Sequence, residues 1–105
     1  MNSITKVSDI TYNDIADFIR LDEITTDDQN TLETLLSVAK SYIANYTGQT
    51  VAALDNFPEF VDAVLVLCQD MWDNRALYVD KSNINKVVES ILNLHAVNLL
   101  PTAED

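Results

Sequence analysis

One glycine, two prolines and one cysteine are all that this 105-residue chain holds of those three types. So few turn formers disfavour a many-stranded β architecture and favour a few long helices. A single glycine also excludes the glycine-rich loops that cradle phosphates in P-loop and dinucleotide-binding proteins. The lone Cys68 excludes an internal disulfide and a cysteine zinc site. Its place in an apolar run predicts a buried, unreactive thiol. No apolar run approaches the roughly 20 residues of a membrane span. No basic-then-apolar leader precedes the first helical pattern, so a cytoplasmic protein is expected. Without a leader, the sequon at Asn45-Tyr46-Thr47 reads as coincidence.

Positive charge is the other scarcity. Six Lys and Arg face 17 Asp and Glu, a formal net charge of −11. That excludes DNA or anionic-membrane binding by phosphate neutralisation. The acidic surplus reads first as a solubilising surface. Its second reading is a surface that sits near DNA without sticking to it.

What is present is helical periodicity. Apolar residues make up 48% of the chain, enough for one modest core that oligomerisation would enlarge. Residues 1–10 read as a short flexible lead-in. Thr11 with Asp14 starts a first helix over 12–20, carrying Ile15, Phe18 and Ile19. A polar linker follows. Thr26 caps a second helix over 27–46, with Asp27 and Asp28 at its positive end. Leu32, Leu35, Leu36, Ala39, Tyr42, Ile43 and Tyr46 share one face of it, and Gly48 ends it. Residues 49–57 read as a loop, because a lone strand over 50–54 has no partner. Pro58 opens a third helix that is apolar almost all round and runs to about Tyr78. Ser82 or Asn83 caps a fourth, striped by Ile84, Val87, Val88, Ile91, Leu92 and His95. The expected fold is all-α: a single domain over 1–105, a small bundle of about four helices, with 102–105 flexible like the lead-in.

No catalytic constellation emerges. His95, the only histidine, lies on an apolar stripe with no nucleophile or orienting partner nominated for it, so it reads as structural. The carboxylate pairs Asp14/Asp17 and Asp70/Asp73 lack convergent ligands from a second element and read as solvated faces. No metal, cofactor or enzymatic activity is expected. The residues singled out are packing or interface candidates. Tyr42 and Tyr46 are core or interface anchors. Val66 and Leu67 widen the third helix beyond what one small bundle needs. Trp72 reads as core with its indole N–H satisfied. Arg75, one of two arginines, reads as an ion-pair partner within its own subunit or across an interface. Leu94, off the stripe, and Leu99 and Leu100 before Pro101 form an apolar end that marks an interface.

Two helix-end signatures carry a family resemblance: Tyr42-Ile43-Ala44-Asn45-Tyr46-Thr47-Gly48 and Met71-Trp72-Asp73-Asn74-Arg75. Their order matters too. Phe18-Ile19-Arg20-Leu21-Asp22 closes a short first helix, Asp27-Asp28 opens the second, and Pro58 precedes the helix that ends in Trp72 and Arg75. From about Ile10 to Pro101 the chain resembles the small head–tail connector (adaptor) proteins of tailed bacteriophages, also known as DNA-packaging proteins. Ala76, where relatives often carry an acid, and Asp70-Met71, where a His or aromatic is common, depart from that pattern. The resemblance implies a ring of about twelve subunits. It implies a position below the portal protein, contact with stopper or tail-completion proteins, and a channel that DNA crosses without sequence-specific binding. It implies a virion location, with host cytoplasm during assembly, and brings no catalytic residue. A second class stays open: a small acidic regulatory protein that binds a basic partner surface.

Overall fold

The computed structural model describes residues 4–79 and 84–95, apart from the side chains of Val87 and His95. Four α-helices order the described residues: α1 (Tyr12–Phe18), α2 (Thr26–Thr47), α3 (Glu59–Asp73) and α4 (Lys86–His95). Two one-turn 3-10 segments, Val7–Asp9 and Ala52–Asn56, fill connections, and no strand occurs among the described residues. The all-α expectation holds.

Local signals explain most boundaries. Thr11 caps α1 in a reciprocal box: its hydroxyl accepts the Asp14 N–H while the Asp14 carboxylate accepts the Thr11 N–H at 2.8 Å. The same box starts α2, but on Thr25 and Asp28. The expected Thr26 cap is therefore corrected by one residue. Only Thr25 has a carboxylate three positions on that its own N–H reaches. Asn85, whose side chain accepts the Val88 N–H at 3.4 Å, starts α4. The expected capping residues Ser82 and Asn83 lie outside the described residues.

The end of α3 differs more. It stops at Asp73, short of the expected Tyr78. Arg75 turns left-handed at φ 55°, its N–H bonds Trp72 O at 3.2 Å, and the Ala76 N–H bonds Met71 O at 3.0 Å. This pair of bonds is the Schellman closure, usually built on glycine. The stop falls within the Met71-Trp72-Asp73-Asn74-Arg75 signature, although no Gly or Pro marks it.

The helices alternate in direction. Residues near the start of α2 meet the end of α3 around one cleft, so these two run antiparallel. Tyr42 of α2 faces Glu89 of α4, and Tyr46 bonds Asn93, so α2 and α4 run parallel. Helix α3 touches all three others. Leu32, Leu35, Ala39 and Ile43 of α2 pack with Phe60, Val64, Leu65, Leu67, Cys68 and Met71 of α3, and with Val88 and Leu92 of α4; all are buried. Each large side chain fully buried there contributes about 1.5–3 kcal/mol.

This central position corrects one interface expectation. Leu67 is only 2% exposed, because α1, α2 and α4 surround α3 and absorb its apolar circumference within the subunit. Val66 is half-buried against the same core. The lead-in is corrected too. Val7 and Ile10, three residues apart on a single turn, are both buried. Ser8 clamps that turn to the 52–56 segment: its N–H and hydroxyl both donate to the Asp55 carboxylate, at 2.9 and 2.8 Å. Val7, Ile10 and, in part, Ile4 thus pack against the core. Residues 49–57, expected as a loop, instead contain the 3-10 turn, because Leu54 must reach the core. Residues 102–105 lie outside the described residues.

Candidate interface at the end of helix three

The C-terminal turn of α3 brings Trp72 and Arg75 together. Left-handed backbone at Arg75 reverses the chain, and the guanidinium carbon lies 5.5 Å from the centre of the Trp72 ring. Such a contact is worth about 0.5–1 kcal/mol at an exposed site. The left-handed backbone of a residue with a Cβ costs about 1–2 kcal/mol. The closing hydrogen bonds offset it, helped by Asn74, whose side-chain amide donates to Asp70 O at 2.8 Å. The alternative of an ion pair within the subunit is not met: Arg75 has no salt bridge among the described residues. Trp72 is half-buried against the core.

Around this turn lies a cleft of about 200 Å³, lined by Asp28, Thr31, Leu35, Met71, Trp72, Arg75, Ala76 and Leu77. Its acid, Asp28, is engaged: the carboxylate accepts the Thr25 N–H at 3.2 Å. Beyond Arg75 the chain exposes large apolar side chains, Leu77 at 59% and Tyr78 at 63%. Sequence reasoning singled out Trp72 and Arg75 but missed Leu77, Tyr78 and Asp28. The two exposed residues were assigned to a longer helix, and Asp28 lies 44 positions from Trp72.

The tyrosines build a separate seam. Their rings are tilted, with centres 5.9 Å apart, and both are half-buried. The Tyr46 hydroxyl donates to the Asn93 side-chain oxygen, which ties α2 to α4. Burial, then the neighbouring Tyr46 and Glu89, raise the Tyr42 pKa above its ordinary value. A groove of about 370 Å³ between Tyr42, Asn45, Tyr46, Ile84 and Glu89 lies at this seam. Tyr46 thus anchors one helix of the subunit on another. Leu94, one residue past Asn93, is 80% exposed. Leu99 and Leu100 lie outside the described residues, as does the His95 side chain.

Burial pushes the Cys68 thiol up to about 12, although Lys40 pulls the other way, so it stays protonated and unreactive at neutral pH. Burial and then the charge of Asp73 raise the Asp70 pKa. No group of three or more His, Cys, Asp or Glu able to hold a metal occurs among the described residues. No helix among them is long and apolar enough to cross a membrane. Comparison with protein-family models, curated protein sequences and solved structures finds no match to this chain.

Proposed function

We propose that this chain is a structural head–tail connector of a tailed bacteriophage or prophage, acting by assembly and not by catalysis. The observation that carries this reading is the apolar surface of Leu77 and Tyr78, exposed directly beside the Trp72–Arg75 helix end. Large apolar side chains grouped on the surface of an acidic protein favour a protein interface over bulk solvent. The order of helix-end motifs carries the resemblance to that family.

In this reading a ring of about twelve copies docks under the portal protein, extends the DNA channel and receives the stopper or tail-completion proteins. The −11 charge suits the channel. Carboxylates on its wall repel DNA phosphates within a screening length of about 10 Å at 0.1 M salt, so DNA passes without being trapped.

The test is mass measurement and negative-stain imaging of the full chain with and without a portal ring. Rings seated on the portal are expected. A chain that stays monomeric beside the portal, and whose deletion leaves head–tail joining intact, sinks the reading. One-to-one, salt-sensitive binding to a cationic partner would instead favour the acidic-regulator class.

A further inference from the structure

The cleft at the end of α3 has an apolar floor and a cation at its rim. Leu35 and Met71 are buried beneath it, and Leu77 stands exposed at its edge. Arg75 makes no ion pair among the described residues, and the cleft's one acid is engaged by the cap of α2. At about 200 Å³ the cleft is smaller than the roughly 300–1,000 Å³ typical of small-molecule sites and is sized for side chains.

The sequence holds a segment of matching chemistry: Leu99-Leu100-Pro101, followed by Glu104 and Asp105. Topology denies it to its own subunit. Because α2 and α4 are parallel, α4 finishes where α2 finishes, whereas the cleft lies where α2 begins. Tyr46, which meets Asn93, is eleven helical residues from Leu35 and fifteen from Thr31 at the cleft, roughly 16–22 Å at about 1.5 Å per residue. The turn of α4 from Asn93 to His95 adds about 3 Å to that distance. The four residues from His95 to Leu99 and the five to Leu100 span at most roughly 14 and 18 Å, at about 3.6 Å each.

We propose that Leu99 and Leu100 of one copy of this chain seat in the Trp72–Arg75 cleft of a second copy, with Arg75 facing the acids that follow. The contact joins one end of a bundle to the opposite end of its neighbour. It is therefore heterologous, the kind that closes into a ring when the rotation per subunit permits. The proposal rests on the self-association in the connector reading and names the contact that makes it.

Trp72, the only tryptophan, lines the cleft and reports on its filling. The full chain is compared by sedimentation and tryptophan emission with a tail variant, L99D/L100D, and a rim variant, L77D. Salt near 0.15 M confines repulsion between acidic copies to about 8 Å. Each variant is expected to weaken self-association on the order of a hundredfold, from the loss of one or two buried leucines. Mixing the two variants is expected to restore a one-to-one complex, since each supplies the half that the other lacks. A peptide of residues 96–105 added to the folded tail variant is expected to shift Trp72 emission, a readout independent of how L77D folds. Wild-type chain that stays monomeric across the concentration range, a tail variant that associates as tightly as wild type, or a peptide that leaves Trp72 unmoved overturns the proposal. Head-to-tail association without portal binding would leave this contact standing and remove the connector reading. Rings formed unchanged on the portal by L99D/L100D would do the reverse.

Discussion

The ends of α2 and α3 close with the same hydrogen bonds and opposite residues. After α2, Gly48 takes φ 72°, and the Gln49 N–H reaches Ala44 O at 2.9 Å. After α3, Arg75 takes φ 55°, and the Ala76 N–H reaches Met71 O at 3.0 Å. The end of α1 repeats the pattern with Arg20 at φ 64°, where the Leu21 N–H reaches Ala16 O at 2.9 Å. A chain with one glycine thus places both of its arginines at the other two left-handed closures among the described residues. The backbone bonds are sufficient to stop a helix. The residue at the turn is chosen by what must happen next to it. At Gly48 that is a tight return toward the 52–56 turn. At Arg75 a guanidinium covers Trp72 at the mouth of a cleft.

The largest expected effect concerns the seam that both ends terminate. Leu65 is fully buried in α3, and Leu65→Ala should cost about 3 kcal/mol in urea unfolding, from lost burial and the cavity left behind. A loss below 1 kcal/mol would mean that the helices close without a packed seam between them.

Next come the two closures themselves, with unequal costs. Gly48→Val puts a branched Cβ at a left-handed position and should destabilise by about 2 kcal/mol. Arg75→Gly removes such a Cβ but also gives up the Trp72 contact and adds the freedom of glycine in the unfolded chain, so it should leave stability within about 0.5 kcal/mol. Equal losses in equilibrium melts of the two variants would break the comparison.

The start of α2 offers a control at the same cleft. Thr25→Ala should cost about 1 kcal/mol by removing the hydroxyl that accepts the Asp28 N–H, while the backbone N–H that the Asp28 carboxylate accepts stays in place. A loss well below that in urea titration would show that the reciprocal box contributes little.

The smallest effects are those of pH, and they separate two acids of opposite sign. Ser8 donates from backbone and side chain to Asp55 and holds its pKa below the usual carboxylate range. A depressed folded-state pKa gives stability that is present above the ordinary value and is lost as pH falls through the folded one. Ser8→Ala removes the hydroxyl donor but keeps the backbone one, so it should flatten part of the acid limb of the stability curve. Asp70 has a raised pKa, so its charged form is a burden that is relieved as pH falls from the raised value toward the ordinary one. Asp70→Asn should raise the urea midpoint at neutral pH and leave it little changed in acid. Parallel titration curves for the two variants would show that the surroundings of Asp55 and Asp70 do not differ in this way.

Much of α2 was legible because its signals are local. The stripe from Leu32 to Ile43 needs only helical spacing, and Gly48 is a residue type that marks a stop by itself. The capping acids at Asp14 and Asp28 likewise act within one turn. The end of α3 was legible only in part: the Trp72-to-Arg75 signature marked a helix end, but Asn74-Arg75-Ala76 holds no Gly or Pro, and the apolar Leu77 and Tyr78 prolonged the pattern. Leu67 looked surplus because periodicity counts faces and not neighbours, and three neighbours were there to cover it. Val7 and Ile10 gave too short a pattern to read. Their burial depends on Asp55, far along the chain, clamping Ser8.

Composition and periodicity were enough for an all-helical acidic domain with its thiol buried, because helix formation and burial follow from residues a few positions apart. Only the tertiary structure decided that Asp28 and Leu77 share a cleft with Trp72 and Arg75, and that α4 leads away from it. Those relations join residues dozens of positions apart. They depend on which helix runs beside which and in what direction, and that is settled by packing around α3.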